Sequence, residues 1–486
     1  MTRAVQVSVP PVRTGARKLT FISALAQNTL RPRAEVRAAA PMAESQQAAR
    51  KPPWRIPTGF AKRSSAGICH TVVPGTDLST QVMPRVRSQL GGTCTRGSAT
   101  ARRYRTGPVA PSEPGSARTA ATPRPDTLVL RAASVVTEAG VLEDAEVVLA
   151  GDRIDALRPA TGPVDDVVLV PGFVELQVNG IGPVDVAGAD GDDWAVLDDA
   201  LLAQGVTTWC PTLTSAPTGA LEAALGRIAR AAARPDAGRP AIAGAHVEGP
   251  FLALPGAHRP EALRGTVDGR WLAELSGAAR VVTLAPELPG ALAAVSLLAE
   301  RGVVVGLGHS ACDAETARAA ADAGARLVTH LGNAMTPLRT RDPGLVGAAL
   351  TDDRLAVSLI CDLVHAHPVF VRLAFAAKGP DAVVLVTDAV AASAGTGSPP
   401  RLADGTLAGS VLTMPEAVTN AVAAAGVDLA RAVAAAATTP ARLLGLEDRG
   451  VLAVGRRADV VALRADDRGA LVVAGVWVGG RPAWPR

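Results

Sequence analysis

Cysteine is scarce in this 486-residue chain: five residues, at positions 69, 94, 210, 312 and 361, with no CxxC pair and no regular spacing. So sparse and odd a set argues against a disulfide framework and for a reducing compartment. Long apolar runs are also missing. No stretch reaches the roughly 18 residues that a membrane helix needs, and the N-terminus lacks the continuous apolar core of a secretory signal. A cytoplasmic body without a membrane partner is the expectation. Acidic residues are nearly absent from one end: residues 1–125 carry 20 Lys and Arg against 4 Asp and Glu, leaving 29 against 41 for residues 126–486. The pI near 9.0 therefore describes a basic segment joined to an acidic body, and that body has no general attraction for nucleic acid.

Residues 1–125 show neither helical nor strand periodicity. Their C-terminal stretch, GGTCTRGSATARRYRTGPVAPSEPGSARTAATPRP, is rich in Gly, Pro, Ser, Thr and Arg. Such a composition cannot bury enough apolar surface to offset chain entropy, so a disordered basic extension is expected. It reads first as an extension without a fold, such as an over-long gene start in a Lys-poor, high-GC usage, and second as an Arg-rich, acid-poor targeting peptide, for which 125 residues is long. Aromatic residues make up only 3% of the chain. No aromatic or Gly-patterned RNA motif occurs in this segment to support a nucleic-acid arm.

From about residue 127 the pattern becomes regular. TLVLRAASVVTEAG, AEVVLAGDRIDAL and DVVLVPGFVELQV are β-rich runs punctuated by Gly, Pro and Asp, which predict a small β unit. Apolar runs then alternate with helical stretches such as GALEAALGRIARAAA and AETARAAADAG, the signature of βα units around a parallel sheet. The polar residues fall where these runs stop. AIAGAHVEG reaches His246 and Glu248, VVVGLGH ends at His309, RLVTH at His330, AVSLICDLVH at Asp362 and His365, and VVLVTD at Asp388. In a (β/α)8 barrel the carboxyl ends of all strands converge on one rim, so residues distant in sequence face one another there.

Glu248, His309 and His330 together are a ligand set for a borderline divalent ion such as zinc, bound by three protein groups with water in the fourth position. Such an ion lowers the pKa of its water from 15.7 to about 7. Asp388, at the end of a hydrophobic strand, is placed to take the proton and pass it to a leaving group. Taken singly, each residue has a plainer role: a strand-end histidine usually packs or caps, and Glu248 would serve as a helix-cap partner or in an ion pair. The set resists that explanation, because five strand-like runs end in ionisable residues and six of the seven histidines lie between 246 and 367.

Ten motifs in order carry a resemblance: PGFVELQVNG (171–180), HVEGPFL (246–252), LAPE (284–287), GHS (308–310), THLGNAM (329–335), DLVH (362–365), VTDA (386–389), LAGSVLTM (407–414), TTPARLLGL (438–446) and GRRADVVAL (455–463). Through them the chain resembles the N-acetylglucosamine-6-phosphate deacetylases of the amidohydrolase superfamily. The resemblance implies a metal-dependent (β/α)8 barrel at 171–445, flanked by a small β-sandwich domain built from residues 126–170 and 446–486, with the extension 1–125 outside it. It implies a hydrolase that converts N-acetyl-D-glucosamine 6-phosphate to D-glucosamine 6-phosphate and acetate, with one divalent ion per subunit, zinc being the expected one. By position, Glu248, His309 and His330 match the metal ligands, Asp388 the general base and acid, and His258 the residue that polarises the acetamide carbonyl, with Ala257 beside it. Arg341 matches the phosphate-binding arginine, whose forked donors suit phosphate oxygens, with Asn333 and Ala334 adding contacts. Leu407, Ala408 and Gly409 match a loop over the sugar. His365 resembles a residue that reaches the neighbouring active site, so a homodimer is implied.

His246 and His367 are read otherwise: the first as a residue supporting the site, the second as part of the start of a helix. Three departures stand out. Gln177 and Asn179 occupy positions where many amidohydrolases carry His-x-His, so a single metal is expected. Leu363 stands where the family has Gly, beside His365. Only 18 residues separate Asp388 from Leu407, fewer than in the relatives, which leaves room for a different N-acetyl amino sugar or amide as substrate, or for a catalytically weakened relative. A non-catalytic scaffold is the remaining alternative, and it has no need of three ligands and Asp388.

Overall fold

The computed structural model describes residues 127–235, 238–275, 277–379, 381–391 and 398–485. The expected disordered extension, with Cys69 and Cys94, lies outside the described residues. Strands β1 (Thr127–Thr137), β2 (Gly140–Ala150), β3 (Arg153–Pro159) and β4 (Asp165–Pro171) come first. Eight parallel strands follow: β5 (Phe173–Val178), β8 (Val206–Leu213), β10 (Ala245–Glu248), β11 (Ala279–Leu284), β12 (Val304–Leu307), β13 (Leu327–Val328), β14 (Ala356–Ile360) and β15 (Val383–Val386). Between them lie a short hairpin, β6 (Gly180–Ile181) with β7 (Val184–Asp185), and a two-residue strand, β9 (Ala241–Ile242), beside β8.

Helices fill the connections: α1 (Asp193–Leu202), α2 (Thr218–Ala232), α3 (Gly269–Leu275), α4 (Ala291–Glu300), α5 (Ala314–Ala323), α6 (Gly344–Thr351), α7 (Pro368–Lys378) and, after β15, α8 (Met414–Ala423), α9 (Leu429–Ala436) and α10 (Thr438–Leu443). Local sequence explains several ends. Asp313 caps α5 by accepting the Thr316 N–H, and Gly324 terminates it with φ +119. Alanines 314, 317, 320 and 321 form its buried stripe. His367 caps α7 by accepting the Val369 N–H at 3.2 Å, the helix-start role expected of it.

The strands run in the order β5, β8, β10 to β15 and form a nearly closed barrel. Its seam is sealed at the rim: the Asp388 N–H donates to the Gln177 carbonyl (3.0 Å) and the Asn179 N–H to the Ala389 carbonyl (2.7 Å). Below, the fully buried Glu175 accepts the N–H groups of Gln177 (3.0 Å) and Thr387 (2.9 Å), one from each side of the seam. Burial pushes its carboxyl up to about 8.

Strands β16 (Val460–Ala465), β17 (Leu471–Val478) and β18 (Arg481–Trp484) return to the first four and complete one seven-stranded sheet, ordered β18-β17-β16-β4-β1-β2-β3. Its free edge curls round. Ile154 N–H donates to the Arg456 carbonyl and Ala458 N–H to that of Asp152, so the sheet wraps over its own core of Val135, Val147, Leu149, Leu169 and Val460. The architecture is thus a TIM-like barrel with an additional sheet drawn from both ends of the body.

Candidate active site

A shared local device delivers three side chains to the rim. His309, His330 and Asp388 each lie two residues beyond the end of their strands β12, β13 and β15, and each has a left-handed backbone, with φ of +50°, +35° and +50°. That conformation turns the side chain inward over the barrel mouth instead of along the strand. Glu248 instead ends β10 itself and is followed by Gly249 at φ +84, where a methyl group would stand 2.2 Å from Ser215 Oγ. Only glycine fits there.

The result is a cluster in which one ligand atom each from Glu248, His309 and His330 lies within 4.8 Å of the others. His330 Nε2 is 2.8 Å and His309 Nε2 3.3 Å from Glu248 Oε1. His309 Nδ1 donates to the Leu254 carbonyl at 2.8 Å, which leaves the Nε2 lone pair facing the cluster. Neither nitrogen of His330 has a competing protein donor: Nδ1 has no partner among the described residues and Nε2 meets Glu248. Burial opposes charge on Glu248, yet the imidazoles of His258, His309 and His330 gathered round it outweigh that cost and hold the carboxyl well below its usual range. Burial likewise keeps His309 below the ordinary imidazole value. An ionised carboxylate and two imidazole nitrogens converging in this way fit a divalent cation, which would displace the proton His330 shares with Glu248.

Gln177 Nε2 donates to Glu248 Oε2 at 3.2 Å, and so occupies a lone pair that a second ion would need. Asn179 Nδ2 donates to Asp388 Oδ1 at 2.7 Å. That bond engages one carboxylate oxygen and leaves the other, Oδ2, able to accept a proton. Burial, then the neighbouring charge of Glu248, raises the Asp388 carboxyl to about 6.

His258 arrives on the loop after β10. Its Nδ1 accepts the Ser215 backbone N–H at 3.1 Å and contacts Ser215 Oγ at 2.8 Å. An amide N–H can only donate, so the proton of the neutral ring sits on Nε2, 3.8 Å from Glu248 Oε2. His258 is therefore a hydrogen-bond donor toward the cluster. His246 stays below it, with Nδ1 on the Leu176 carbonyl and Nε2 on Thr283 Oγ1, which contacts Thr329 Oγ1 at 2.7 Å.

These groups open into a cavity of about 580 Å³. Ala257, Asn333, Ala334, His365, Leu407, Ala408 and Gly409 all line it, as do Glu248, His258, His309, His330 and Asp388. Gly409 has φ +73, and a methyl there would meet Val390 Cγ1 at 2.4 Å. The short segment before it makes a bridge between Arg401 and Leu407, so a compact hairpin feeds the loop. His365 lines the cavity of its own chain, with Nδ1 fixed to Asp362 Oδ2 at 2.7 Å. Leu363, flagged as a departure, has φ +64, a left-handed position that glycine adopts without strain.

Arg341 is not brought to this cavity. It is exposed on the turn before α6, where Arg339 N–H closes onto the Asp342 carbonyl and Pro343 leads the chain away. Sequence reasoning missed Ser215, Glu287 and Arg259. Ser215 stands two residues past the end of β8, the same offset as the histidines, and that signal could have found it. Glu287, in LAPE, accepts Ser310 Oγ–H and Ala311 N–H, both at 2.7 Å, and so steadies the turn that carries His309.

The chain belongs to the amidohydrolase family, which it matches over residues 168–483. Among curated proteins it is similar to an N-acetylgalactosamine-6-phosphate deacetylase of Escherichia coli O157:H7, 38% identical over 384 residues, covering 74% of this chain and 99% of that protein. It is 36% identical over 351 residues to the human N-acetylglucosamine-6-phosphate deacetylase, covering 65% of this chain and 83% of that one. Among solved structures, a mutant N-acetyl-D-glucosamine-6-phosphate deacetylase from Mycobacterium smegmatis in complex with N-acetyl-D-glucosamine-6-phosphate matches with a TM-score of 0.68 at 33% identity, covering 74% of this chain and 99% of that one. Family membership and a Glu/His/His cluster able to hold a divalent ion support a metal-dependent hydrolase. No helix among the described residues is long and apolar enough to cross a membrane.

Proposed function

We propose that the protein hydrolyses the acetamide of N-acetyl-D-glucosamine 6-phosphate, releasing acetate and D-glucosamine 6-phosphate. The observation that carries this reading is the convergence, in one cavity, of the Glu248/His309/His330 cluster with a proton acceptor, Asp388 Oδ2, and a proton-bearing donor, His258 Nε2. A divalent ion bound by the cluster, zinc in this reading, would supply Lewis acidity and bring the pKa of a water to about 7. His258 Nε2–H donates to the acyl oxygen as negative charge builds there. Asp388 accepts the proton of the attacking water at Oδ2 and returns it to the nitrogen as the C–N bond breaks, so amide and water become acid and amine. Leu407, Ala408 and Gly409 cover the sugar, and Asn333 and Ala334 reach its phosphate end.

His258→Asn is expected to lower kcat by about 10²–10³, the effect of losing one donor to a developing oxyanion. Ser215→Ala keeps the backbone N–H on Nδ1 and should cost less than about 10-fold. Steady-state acetate release with both variants checks this.

In the same reading the chain forms a homodimer; because His365 lines its own chain's cavity and Arg341 lies outside it, the reach into the neighbouring phosphate site that was expected of His365 is reassigned to Arg341. Exposed apolar side chains in the segment that carries both residues support such a contact: Leu338, Val364 and, one turn apart on α7, Val369 and Leu373, 67% and 45% exposed. The 38% identity to a galactosamine-type enzyme favours a second substrate, the galacto epimer. Acetate release from both 6-phosphates and from the unphosphorylated sugars, by the zinc-loaded full chain, tests the proposal. A kcat/KM for either phosphorylated sugar at least about 100-fold above its parent supports it; no acetate from any of the four rejects it.

A further inference from the structure

Arg259 follows His258, and the two neighbours differ: the imidazole is buried against Glu248, while the arginine lines the same cavity from a solvent-exposed position. Its guanidinium has no hydrogen-bond or ion-pair partner among the described residues. The cavity's histidines are already engaged. His258, His309 and His330 gather on Glu248, and His365 is tied to Asp362. Asp185, the rim carboxylate that would compete for a guanidinium, accepts the Ala187 N–H at 2.8 Å.

The loop carrying Arg259 is folded against the turn that carries Asn333 and Ala334. Gly256, at φ +53, leaves 3.3 Å between an added methyl and Ala334 Cβ, and 2.9 Å to His309 Cε1. A free forked donor therefore stands on the loop that touches the 333–334 turn, while Arg341 is exposed outside the cavity.

We propose that Arg259 binds the phosphoryl group of the substrate from within the same chain, giving each site a guanidinium of its own besides any that a second subunit offers. The proposal rests on the reading of the substrate as an amino sugar 6-phosphate. A planar fork of N–H donors matches phosphate oxygens and discriminates a dianion from a neutral hydroxymethyl group.

The test compares Arg259→Ala and Arg259→Lys with the wild type, all as zinc-loaded full chains, on N-acetylglucosamine 6-phosphate and on N-acetylglucosamine. Calorimetric binding of glucosamine 6-phosphate is a second readout that needs no turnover. The alanine variant is expected to raise KM for the phosphorylated substrate, and to weaken product binding, by roughly 10- to 100-fold, the range for losing a hydrogen bond to a charged group. Its kcat and its rate on the unphosphorylated sugar should stay within about 3-fold, and lysine should recover part of the loss. Unchanged KM and product affinity in Arg259→Ala, or equal losses on both sugars, overturn the role of Arg259 and leave the deacetylase reading standing. Wild-type protein that neither releases acetate nor binds glucosamine 6-phosphate overturns both.

Discussion

Asp388→Asn should leave one metal ion bound and KM within about 3-fold of wild type while lowering kcat by about 10²–10⁴, the contribution of a positioned general base and acid. The substitution is nearly isosteric. The replacement's amide oxygen still accepts the Asn179 amide now bonded to Oδ1 at 2.7 Å, so the turn at φ +50 keeps its anchor. What disappears is the oxygen that, in the proposed mechanism, takes the water's proton. Acetate release and metal analysis on the same sample separate the two effects. A loss of less than 10-fold, or a variant that no longer binds metal, contradicts the assignment of Asp388 as the proton carrier.

Removal of the ion should have an effect of comparable or greater size. Chelated wild-type protein is expected to lose at least about 10³-fold in acetate release and to regain it with added zinc. His309→Ala should behave like the chelated protein and not recover, because the Leu254 carbonyl, which orients His309 Nδ1 at 2.8 Å, has nothing left to orient. Metal content should fall from one ion per chain to below about 0.1, and the melting temperature of the wild type should drop on chelation, since an ion bound only by the folded state stabilises it. Two ions per chain in the wild type would contradict the single-metal reading supported by Gln177, whose amide donates to Glu248 Oε2.

The frame of this site was readable because hydrophobic alternation fixes where strands stop, and stopping points share one rim in a parallel barrel. Glu248, His309, His330 and Asp388 followed from that rule alone. The same rule also marked Asp362, two residues past β14, yet its carboxylate caps its own turn by accepting the Val364 and His365 N–H groups. Position at a strand end selects candidates and does not distinguish a ligand from a cap. His258 was legible only through the family resemblance, because it reaches the cluster on a loop whose path depends on Gly249, Gly256 and contact with Ser215. Pairing of β4 with β16, nearly 300 residues apart, left no periodic trace either; it is set by packing across the small sheet. Arg341 and Arg259 show the limit from the other side. Both look like solvated arginines in sequence, and only the cavity separates them.

The left-handed turns at His309, His330 and Asp388 have a consequence for how this protein would change under selection. Each holds an L-residue where the side chain crowds the backbone, at a cost of order 1–2 kcal/mol, less for histidine and aspartate than for branched residues. Glycine at any of the three would relieve that cost and abolish the chemistry. A screen for heat tolerance alone should therefore accumulate hardier, inert proteins at these very codons, and a population relieved of its substrate would be expected to decay first at the mouth of the barrel, while its walls persist.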